Sequence, residues 1–230
     1  MKNNWSDYSH LFQNKGIDAI FSHSSFPVLK SSDLKNFAEA SGFNFNKLII
    51  PTQIHSNYVE IRNKPGLIEN CDGVFSFDIN LICSIKVADC MPIYFVHKSC
   101  PVFGLVHVGW KGLSKKIISV VGSKLIDNNW ELSEFEILIG PSIQQCCFEV
   151  DENIIDKFEI DFLIKNINGK FSVNLQLLAK KELIQIGFNG KNIMIDNQCS
   201  CCDKQKFFSY RRDNNNTGRM IALLGARSKI

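Results

Sequence analysis

The sequence predicts an α+β fold in which mixed β-sheets and outer helices form one domain over residues 1–230. Short apolar runs of strand length and longer segments with helical spacing are intermixed, without the regular βαβα alternation of a doubly wound sheet. Hydrophobic residues make up 45% of the 230 residues, which is enough for a sizeable core. No stretch resembles a linker, an internal repeat or a low-complexity tract, so we expect no second domain.

The strand predictions rest on short apolar runs that end at turn-forming residues. Two neighbouring runs, Pro92 to Val96 and Val102 to Val108, are spaced like a hairpin with Lys98 to Pro101 as its turn. The other predicted strands or extended segments are Ile17 to Ser22, Lys47 to Pro51, Val59 to Ile61, the run entered from Cys71-Asp72-Gly73, Asn80 to Val87, Phe135 to Ile139, Phe171 to Asn174, Ile193 to Ile195, Phe207 to Tyr210 and Met220 to Leu224.

Four segments are predicted to be helical. Leu34 to Ala40 follows the capping residues Ser31-Ser32-Asp33 and is stopped by Gly42. Leu113 to Asn129 shows the clearest helical spacing of apolar residues. Glu152 to Phe162 is compatible with a helix, and Leu175 to Ile186 is a helix that Gly187 ends.

Composition excludes several classes of protein. The net charge of +3, with scattered basic residues, is too small to predict nucleic-acid binding. The sequence contains no window of 18 apolar residues, so no membrane span is predicted. The residues after Met1 lack the apolar core of a signal peptide. We therefore expect a cytoplasmic protein, a monomer or small homo-oligomer, whose nine cysteines are reduced rather than paired in disulfides.

Three reactive side chains, His55, Cys90 and His107, lie where apolar runs meet turn-forming residues. Two imidazoles and a thiolate suit zinc and leave a fourth position for water or substrate. The same three residues also fit a cysteine nucleophile with a histidine base, and the residues alone leave both interpretations open.

Other polar residues near these three are candidates for substrate binding. Gln53 and Asp89 stand beside the ligand candidates, and Lys111 lies between two glycines next to a predicted helix start that favours anions. Arg211 and Arg212, beside Ser209 and Tyr210, suit phosphate or ribose recognition. The alternative for the segment around Lys111 is a strand-to-helix connection that binds no ligand. The alternative for Arg211 and Arg212 is a solvated loop with ordinary surface arginines.

The remaining cysteine clusters are expected to be structural or incidental. Adjacent ligands strain a tetrahedral site, so Cys146 and Cys147 are expected to be packing residues. Cys199, Cys201 and Cys202 could form a second zinc site or a redox patch, but they lack the two C-x-x-C pairs that a structural zinc site prefers.

Six sequence blocks in the right order resemble the laccase-domain, or polyphenol oxidase, family of the YfiH and YlmD type, which is related to the human laccase domain-containing protein. The resemblance covers roughly residues 45 to 225. The blocks are Gln53-Ile54-His55-Ser56, Cys71-Asp72-Gly73, Ala88-Asp89-Cys90-Met91-Pro92, His107-Val108-Gly109-Trp110-Lys111-Gly112, Ile139-Gly140-Pro141-Ser142-Ile143 with Cys147-Phe148-Glu149-Val150, and Phe208-Ser209-Tyr210-Arg211-Arg212 with Thr217-Gly218-Arg219.

The resemblance implies a fold, a metal and an activity. It implies a four-layer α/β/β/α sandwich, similar to the catalytic domain of cytotoxic necrotizing factor, and zinc ligands at His55, Cys90 and His107. It also implies phosphorolysis of adenosine, inosine, guanosine and methylthioadenosine, with adenosine deamination as a further activity. Purine nucleosides and phosphate are then the partners, and an older assignment for the family is copper-dependent phenol oxidation.

The sequence departs from the family pattern in two places, and rival functions stay open. The Gly-rich segment and Asn-Arg pair that usually precede the first helix are missing, and Lys111 replaces the usual arginine. A copper oxidase would need more histidines than the five present, two of which belong to the proposed site. The other rivals are a metal-free Cys–His hydrolase and a zinc-stabilised module that binds a partner.

Overall fold

Two six-stranded sheets packed face to face form the centre of the protein. The computed structural model describes residues 4–26 and 31–228. The first sheet consists, in spatial order, of β1 (Trp5–Asp7), β2 (Asp18–Ser22), β15 (Met220–Gly225), β7 (Ile82–Val87), β3 (Leu48–Pro51) and β5 (Gly66–Ile68). The second consists of β14 (Ile193–Ile195), β10 (Phe135–Ile139), β8 (Met91–His97), β9 (Phe103–Val108), β6 (Gly73–Ser76) and β4 (Val59–Arg62). A small third sheet consists of β11 (Glu149–Val150), β13 (Phe171–Val173) and β12 (Leu163–Lys165).

Both large sheets combine parallel and antiparallel pairs. In the first sheet β15 is antiparallel to β7, whereas β3 is parallel to β7. In the second sheet β8 is antiparallel to β9, and β10 is parallel to β14. The predicted mixed sheets and the predicted hairpin between β8 and β9 are therefore confirmed.

Helices cover the outer face of each large sheet. They are α1 (Ser31–Ala40), α2 (Trp110–Ser114), α3 (Ile117–Asp127), α4 (Leu175–Gln185) and α5 (Tyr210–Asp213). On the first sheet, α1 packs Leu34 and Phe37 against Ile221. On the second sheet, α3 and α4 contribute Val121 and Leu183 to one apolar cluster with the strands. The order of layers is thus α/β/β/α, which confirms the fold class. Among the described residues, no helix combines the length and apolar character that a membrane crossing would need.

The central strands are buried on both faces, which explains why their sequences are almost continuously apolar. Every residue of β8, β9 and β15 is buried. Along β8, Tyr94 and Val96 face the first sheet, while Ile93 and Phe95 face the helices. Successive side chains of β8 therefore pack alternately into two separate cores, one between the sheets and one between the second sheet and the helices.

Two loops cross from the first sheet to the second at the same edge of the molecule. One joins β3 to β4 and contains His55, and the other joins β7 to β8 and contains Cys90. His107 lies near the end of β9, where it is paired in register with Pro92 of β8. The two crossovers and this strand end bring three distant parts of the chain together.

The helix predicted from Leu113 to Asn129 requires correction, because the structure has two helices there, α2 and α3. Lys116 has a left-handed backbone with φ of 62°, which a right-handed helix cannot continue through. The first of the two helices begins at Trp110 directly after Gly109, so Gly112 lies inside it rather than before it.

The segment Glu152 to Phe162 forms only the two short 3-10 turns Glu152–Lys157 and Ile160–Phe162. Neither turn fully buries a residue, and partial packing of Ile154, Ile155 and Phe162 against the core gives a longer helix little stabilisation.

Smaller differences concern the ends of elements. The extended segment predicted to reach Tyr210 ends at Ser209, which caps α5 by accepting a hydrogen bond from the Arg212 amide at 3.2 Å. Helix α1 begins at Ser31, earlier than predicted. The short strands β1, β5, β11 and β12 were not predicted, because runs of two or three residues carry little periodicity.

Candidate metal centre and its cavity

The loop after β3 is held by one buried carboxylate, Asp72, which directly precedes β6. The backbone amides of Ile54, His55 and Ser56 donate to it over 3.2, 3.0 and 2.6 Å. His55 has a left-handed backbone with φ of 58°, a conformation that costs free energy in a non-glycine residue unless neighbouring contacts hold it. The hydrogen bonds to Asp72 therefore stabilise the loop conformation that presents His55.

The same carboxylate orients the second imidazole. Asp72 Oδ1 lies 2.8 Å from Nδ1 of His107, and both side chains are buried. Burial alone would raise the pKa of Asp72, but the hydrogen bonds from His107 and Ser56 lower it well below its ordinary value. Because the ionised carboxylate accepts the Nδ1 proton, Nε2 of His107 is left as a possible metal ligand.

The loop before β8 positions the thiol of Cys90. Asp89 has a left-handed backbone with φ of 83°. Its carboxylate accepts hydrogen bonds from the Ser200 hydroxyl and the Arg211 amide, each at 2.6 Å. Two chain segments more than a hundred residues further on thus hold the turn that carries Cys90.

The three candidate ligands converge as the sequence predicts. One ligand atom from each of His55, Cys90 and His107 lies within 4.8 Å of the others, and Cys90 Sγ is 3.9 Å from His55 Nε2. A Cβ atom added to Gly109 would lie 2.7 Å from Cys90 Sγ, which is closer than two such atoms can approach. Glycine at this position therefore avoids a steric clash with the thiol. Two borderline-soft imidazole nitrogens and one thiolate fit zinc or copper better than a cation that prefers oxygen ligands.

The protein environment shifts the pKa values of Cys90 and His107. Burial alone would raise the pKa of Cys90, but His107 and His55 lower it to about 6. Burial alone would lower the pKa of His107, but the Cys90 thiolate and Asp72 raise it to about 9. These side chains therefore favour a thiolate, which is the form that binds a metal and also the form that acts as a nucleophile.

A cavity of about 970 Å³ adjoins the three residues. Its wall includes four cationic side chains, Lys86, Lys111, Arg211 and Arg219. Other parts of the wall are apolar or aromatic and include Phe45, Ile143, Trp110, Phe148, Leu175 and Tyr210. The cavity thus combines positive charge with flat apolar surfaces next to the candidate metal ligands.

The predicted substrate-binding residues differ in what their polar atoms contact. Lys111 and Arg211 line the cavity, and the Arg211 guanidinium lies 5.4 Å from the centre of the Phe148 ring. Gln53 also lines it, but its amide pairs with the backbone N–H and C=O of Lys86, both at 2.8 Å. The Asp89 carboxylate is used in the two hydrogen bonds described above.

Arg212 is not among the residues that line the cavity. Its guanidinium pairs with Asp213 and donates to the carbonyl oxygens of Ser200, Cys201 and Phe207 over 3.1, 3.0 and 2.9 Å. These contacts connect the 199–207 loop to α5.

Three residues of this region were missed as site residues in the sequence. Asp72 belongs to the turn and to the recognised Cys71-Asp72-Gly73 block but is not among the predicted site residues, although a carboxylate is a common partner for a ligand histidine. Arg219 belongs to the recognised Thr217-Gly218-Arg219 block. Lys86 interrupts an otherwise buried strand, and burial lowers its pKa while Asp33 opposes the shift. A charged residue at an inner strand position was the available signal for Lys86.

Comparison with known proteins places the chain in a family. The family model described as multi-copper polyphenol oxidoreductase laccase matches residues 30–227. The purine nucleoside phosphorylase YlmD of Geobacillus stearothermophilus is 29% identical over 170 residues, which are 70% of this chain and 62% of that relative. This chain therefore matches less than two thirds of that relative's length. Adenosine deaminase RL5, from an unknown prokaryotic organism, is 27% identical over 195 residues, which are 77% of this chain and 74% of that relative.

A solved structure shows the same fold. The crystal structure of YlmD from Geobacillus stearothermophilus matches with a TM-score of 0.86 and 22% sequence identity, and the match covers 94% of each chain. The family model covers most of the chain, and the six blocks that suggested the resemblance lie within its matched range. The chain therefore belongs to the multi-copper polyphenol oxidoreductase laccase family.

Proposed function

We propose that the protein is a zinc-dependent purine nucleoside phosphorylase. It cleaves adenosine, inosine and guanosine with phosphate to the free base and ribose 1-phosphate, and methylthioadenosine to adenine and methylthioribose 1-phosphate. One observation carries the proposal: the His55, Cys90 and His107 ligand set and four cationic side chains share one cavity of about 970 Å³. The name of the phosphorylase relative supports the same reaction.

His55, Cys90 and His107 would hold the metal, and Asp72 keeps both imidazoles in position for it. Bound zinc supplies a Lewis acid beside the cavity. We assign zinc because an N₂S ligand set with one open side is typical of its tetrahedral catalytic sites.

The cationic side chains are suited to hold phosphate. Lys86, Lys111, Arg211 and Arg219 face the cavity, and Gln53 positions Lys86 through its two backbone hydrogen bonds. We propose that Lys86 and Arg219 supply the charge of the family's missing N-terminal arginine. Asp89 positions Arg211 through its amide, and Arg212 has a structural role in the adjoining loop.

The reaction requires phosphate and purine on opposite faces of the ribose. A phosphate oxygen forms a bond to C1′ while the bond from C1′ to the purine nitrogen breaks. The bonding electrons leave with the purine, which takes up a proton. The cavity supplies both kinds of group that this reaction needs: cationic side chains for the phosphate, and aromatic side chains such as Trp110 and Phe148 for the base.

The test is a product assay on the purified, zinc-loaded protein with inosine, in buffer with and without phosphate. We expect hypoxanthine and ribose 1-phosphate in equal amounts only when phosphate is present. Cys90→Ala should abolish both products, since it removes one ligand of the set. Absence of ribose 1-phosphate would overturn the proposal if the wild type then holds about one zinc ion per chain more than Cys90→Ala, which shows that the site at His55, Cys90 and His107 is occupied.

Adenosine deamination is a second candidate activity, because one relative carries the name adenosine deaminase. A zinc site with an open position suits water activation, which this reaction needs. Incubation of adenosine without phosphate separates the two activities, because deamination gives inosine and ammonia whereas phosphorolysis gives adenine.

Two rival functions use the same residues. A multicopper oxidase needs several histidine-bearing centres, but in the described residues His10, His23 and His97 join no cluster of metal-ligating side chains. Oxygen uptake with phenols after copper loading would favour this rival. A metal-free Cys–His hydrolase is consistent with the lowered pKa of Cys90, and a trapped acyl-enzyme on Cys90 would favour it.

The cellular setting is part of the proposal. Zinc ligation requires a reduced Cys90, which agrees with a cytoplasmic location. We propose that the protein acts there on nucleosides rather than nucleic acids, as a monomer or small homo-oligomer. A Cys90→Ala protein that is inactive but still folded would separate this enzyme from a module that zinc at this site stabilises.

A further inference from the structure

Four cysteine thiols from two loops meet outside the site described above. Cys146 and Cys147 lie in the turn after β10, and Cys199 and Cys202 lie in the loop after β14. Their sulfur atoms are all within 4.8 Å of one another. We propose that these four cysteines form a second metal site, a tetrahedral zinc centre with a structural role.

Three of the sulfur–sulfur distances are close to those of a tetrahedral zinc site, and the Cys199 sulfur lies within 4.8 Å of the other three. A zinc–sulfur bond of about 2.3 Å places the four sulfurs of a tetrahedron about 3.8 Å apart. Cys146 Sγ lies 3.8 Å from Cys147 Sγ and 3.7 Å from Cys202 Sγ, and Cys147 Sγ lies 3.3 Å from Cys202 Sγ. The turn thus already separates the sulfurs of the adjacent residues Cys146 and Cys147 by the distance that a tetrahedral site requires.

The loop after β14 has the features of a metal-binding turn. Cys199 and Cys202 have C-x-x-C spacing, and the adjacent cysteines of the other loop replace the second such pair. The backbone amide of Gln144 donates to Cys199 Sγ at 3.4 Å, which stabilises negative charge on that sulfur. A parallel β-bridge between Ser142 and Cys199 joins the two loops directly beside the cluster.

Packing in the core accounts for Cys199, which is buried, but it does not explain why three more thiols converge on it. Cysteines that act as small apolar side chains are buried, as Cys71 and Cys83 are in this protein. Cys146 and Cys202, in contrast, are exposed, and Cys147 is only partly buried. Thiols that converge at the surface are accessible to a cation, which would bind them as thiolates.

A metal here would connect the segments that support the cavity. Between the two ligands of the second loop, Ser200 donates to the Asp89 carboxylate at 2.6 Å. From the first loop, the Cys147 carbonyl accepts from the Arg211 guanidinium at 2.8 Å. The nearby guanidinium groups of Arg211 and Arg212 would offset part of the negative charge of a zinc tetrathiolate.

The first test counts zinc in protein purified under reducing conditions and loaded with zinc alone. Cys146→Ser and Cys202→Ser should each lower the bound zinc by about one ion per chain. Cys201→Ser is the matched control, since it alters a neighbouring thiol outside the four and should leave the zinc content unchanged. Unchanged zinc content in both folded Cys146→Ser and Cys202→Ser would contradict the second site.

The second test does not depend on variants of the cluster. X-ray absorption at the zinc edge is measured on Cys90→Ala, which removes a ligand of the other site. We expect the remaining zinc to have sulfur neighbours alone, at about 2.3 Å. A mixed nitrogen and oxygen shell, or the loss of all zinc, would overturn the proposal. Neither readout uses nucleoside turnover, so the second site and the proposed function can fail independently.

Discussion

At the scale of single residues, Asp72 connects two of the three candidate metal ligands. Its carboxylate accepts hydrogen bonds from three backbone amides, from the Ser56 hydroxyl and from Nδ1 of His107. An asparagine of the same shape has one acceptor oxygen and a donor NH₂ group in place of the second oxygen, so it cannot accept the same set of hydrogen bonds. The geometry of the centre therefore depends on a carboxylate that is not itself one of the three ligands.

We predict that Asp72→Asn weakens zinc binding at this centre roughly 10–100-fold, the usual effect of removing a partner of a ligand histidine. Competition with a chelator measures the affinity. Asp78→Asn is the control, because Asp78 also accepts a backbone amide, that of Asn80, in a loop apart from the cavity. Equal zinc affinity of Asp72→Asn and the wild type would contradict the role of Asp72.

The pKa of Cys90 predicts a pH dependence for metal-stripped protein. Because the thiolate is the reactive form, alkylation of Cys90 should rise through a midpoint near its pKa of about 6 as the pH increases. Cys146 is an internal control. Although the residue is exposed, partial desolvation of its thiol and the contact with Cys202 raise its pKa to about 11, so its alkylation rate should still increase at pH values far above 6.

Peptide mass analysis after a short pulse of iodoacetamide at each pH gives both rates. Added zinc should protect Cys90, as expected for a metal ligand. A Cys90 midpoint near the ordinary thiol value of about 8.5 would show that the histidines do not stabilise the thiolate.

At the scale of elements, the strand ends were predicted well and the helix after β9 was not. Apolar runs bounded by turn residues identified β3, β7, β8 and β9 and therefore the chain positions of the ligands. The break between α2 and α3 could not be predicted in this way. It results from the left-handed backbone conformation of Lys116, which the spacing of apolar residues does not indicate. Helix α2 consequently begins beside Cys90, with Gly109 as its first flanking residue.

We predict that Gly109→Ala impairs the metal centre for steric reasons. Gly109 has φ of −97°, which alanine adopts freely, but the added Cβ would lie 2.7 Å from Cys90 Sγ. Overpacking of this kind costs about 1–3 kcal/mol, which should appear as weaker zinc binding and lower activity. Gly112→Ala, in the same helix with its nearest contact at 3.4 Å, is the control and should keep zinc affinity. Equal zinc affinity of the two variants would exclude the steric explanation.

At the scale of the whole molecule, the site depends on how the two sheets face each other. Both crossover loops join strands of different sheets, so the distance between His55 and Cys90 is determined by sheet packing. Tyr94 lies fully buried on β8 of the second sheet and donates to the Ile20 carbonyl of β2 in the first sheet at 2.9 Å. That the whole chain, 1–230, acts as one domain stays a prediction.

We predict that Tyr94→Phe lowers the free energy of unfolding by about 1–3 kcal/mol, because the buried Ile20 carbonyl loses its donor from the other sheet. Denaturant unfolding measures the change. Tyr58→Phe is the control, because Tyr58 is exposed and its hydroxyl donates a hydrogen bond to the Glu60 carboxylate at the surface, over 3.1 Å. A loss of stability no larger than that of the control would show that this hydrogen bond does not stabilise the packing of the sheets.

The sequence by itself determined the fold class, most strands and the three candidate ligands. These features depend on local properties: side-chain chemistry, apolar runs and the turn residues that end them. The ligand positions could be recognised because His55, Cys90 and His107 each stand near a strand end in a distinctive block.

Tertiary structure alone decided which distant groups meet. Asp72 contacts His107 from 35 residues away, and Cys146 approaches Cys202 from 56 residues away. Local sequence patterns do not reveal how close two such segments lie in space. That distance depends on the path of the chain through the two packed sheets. For that reason the turn around Asp72 became a support for two imidazoles, and two cysteine pairs expected to be structural became a candidate metal site.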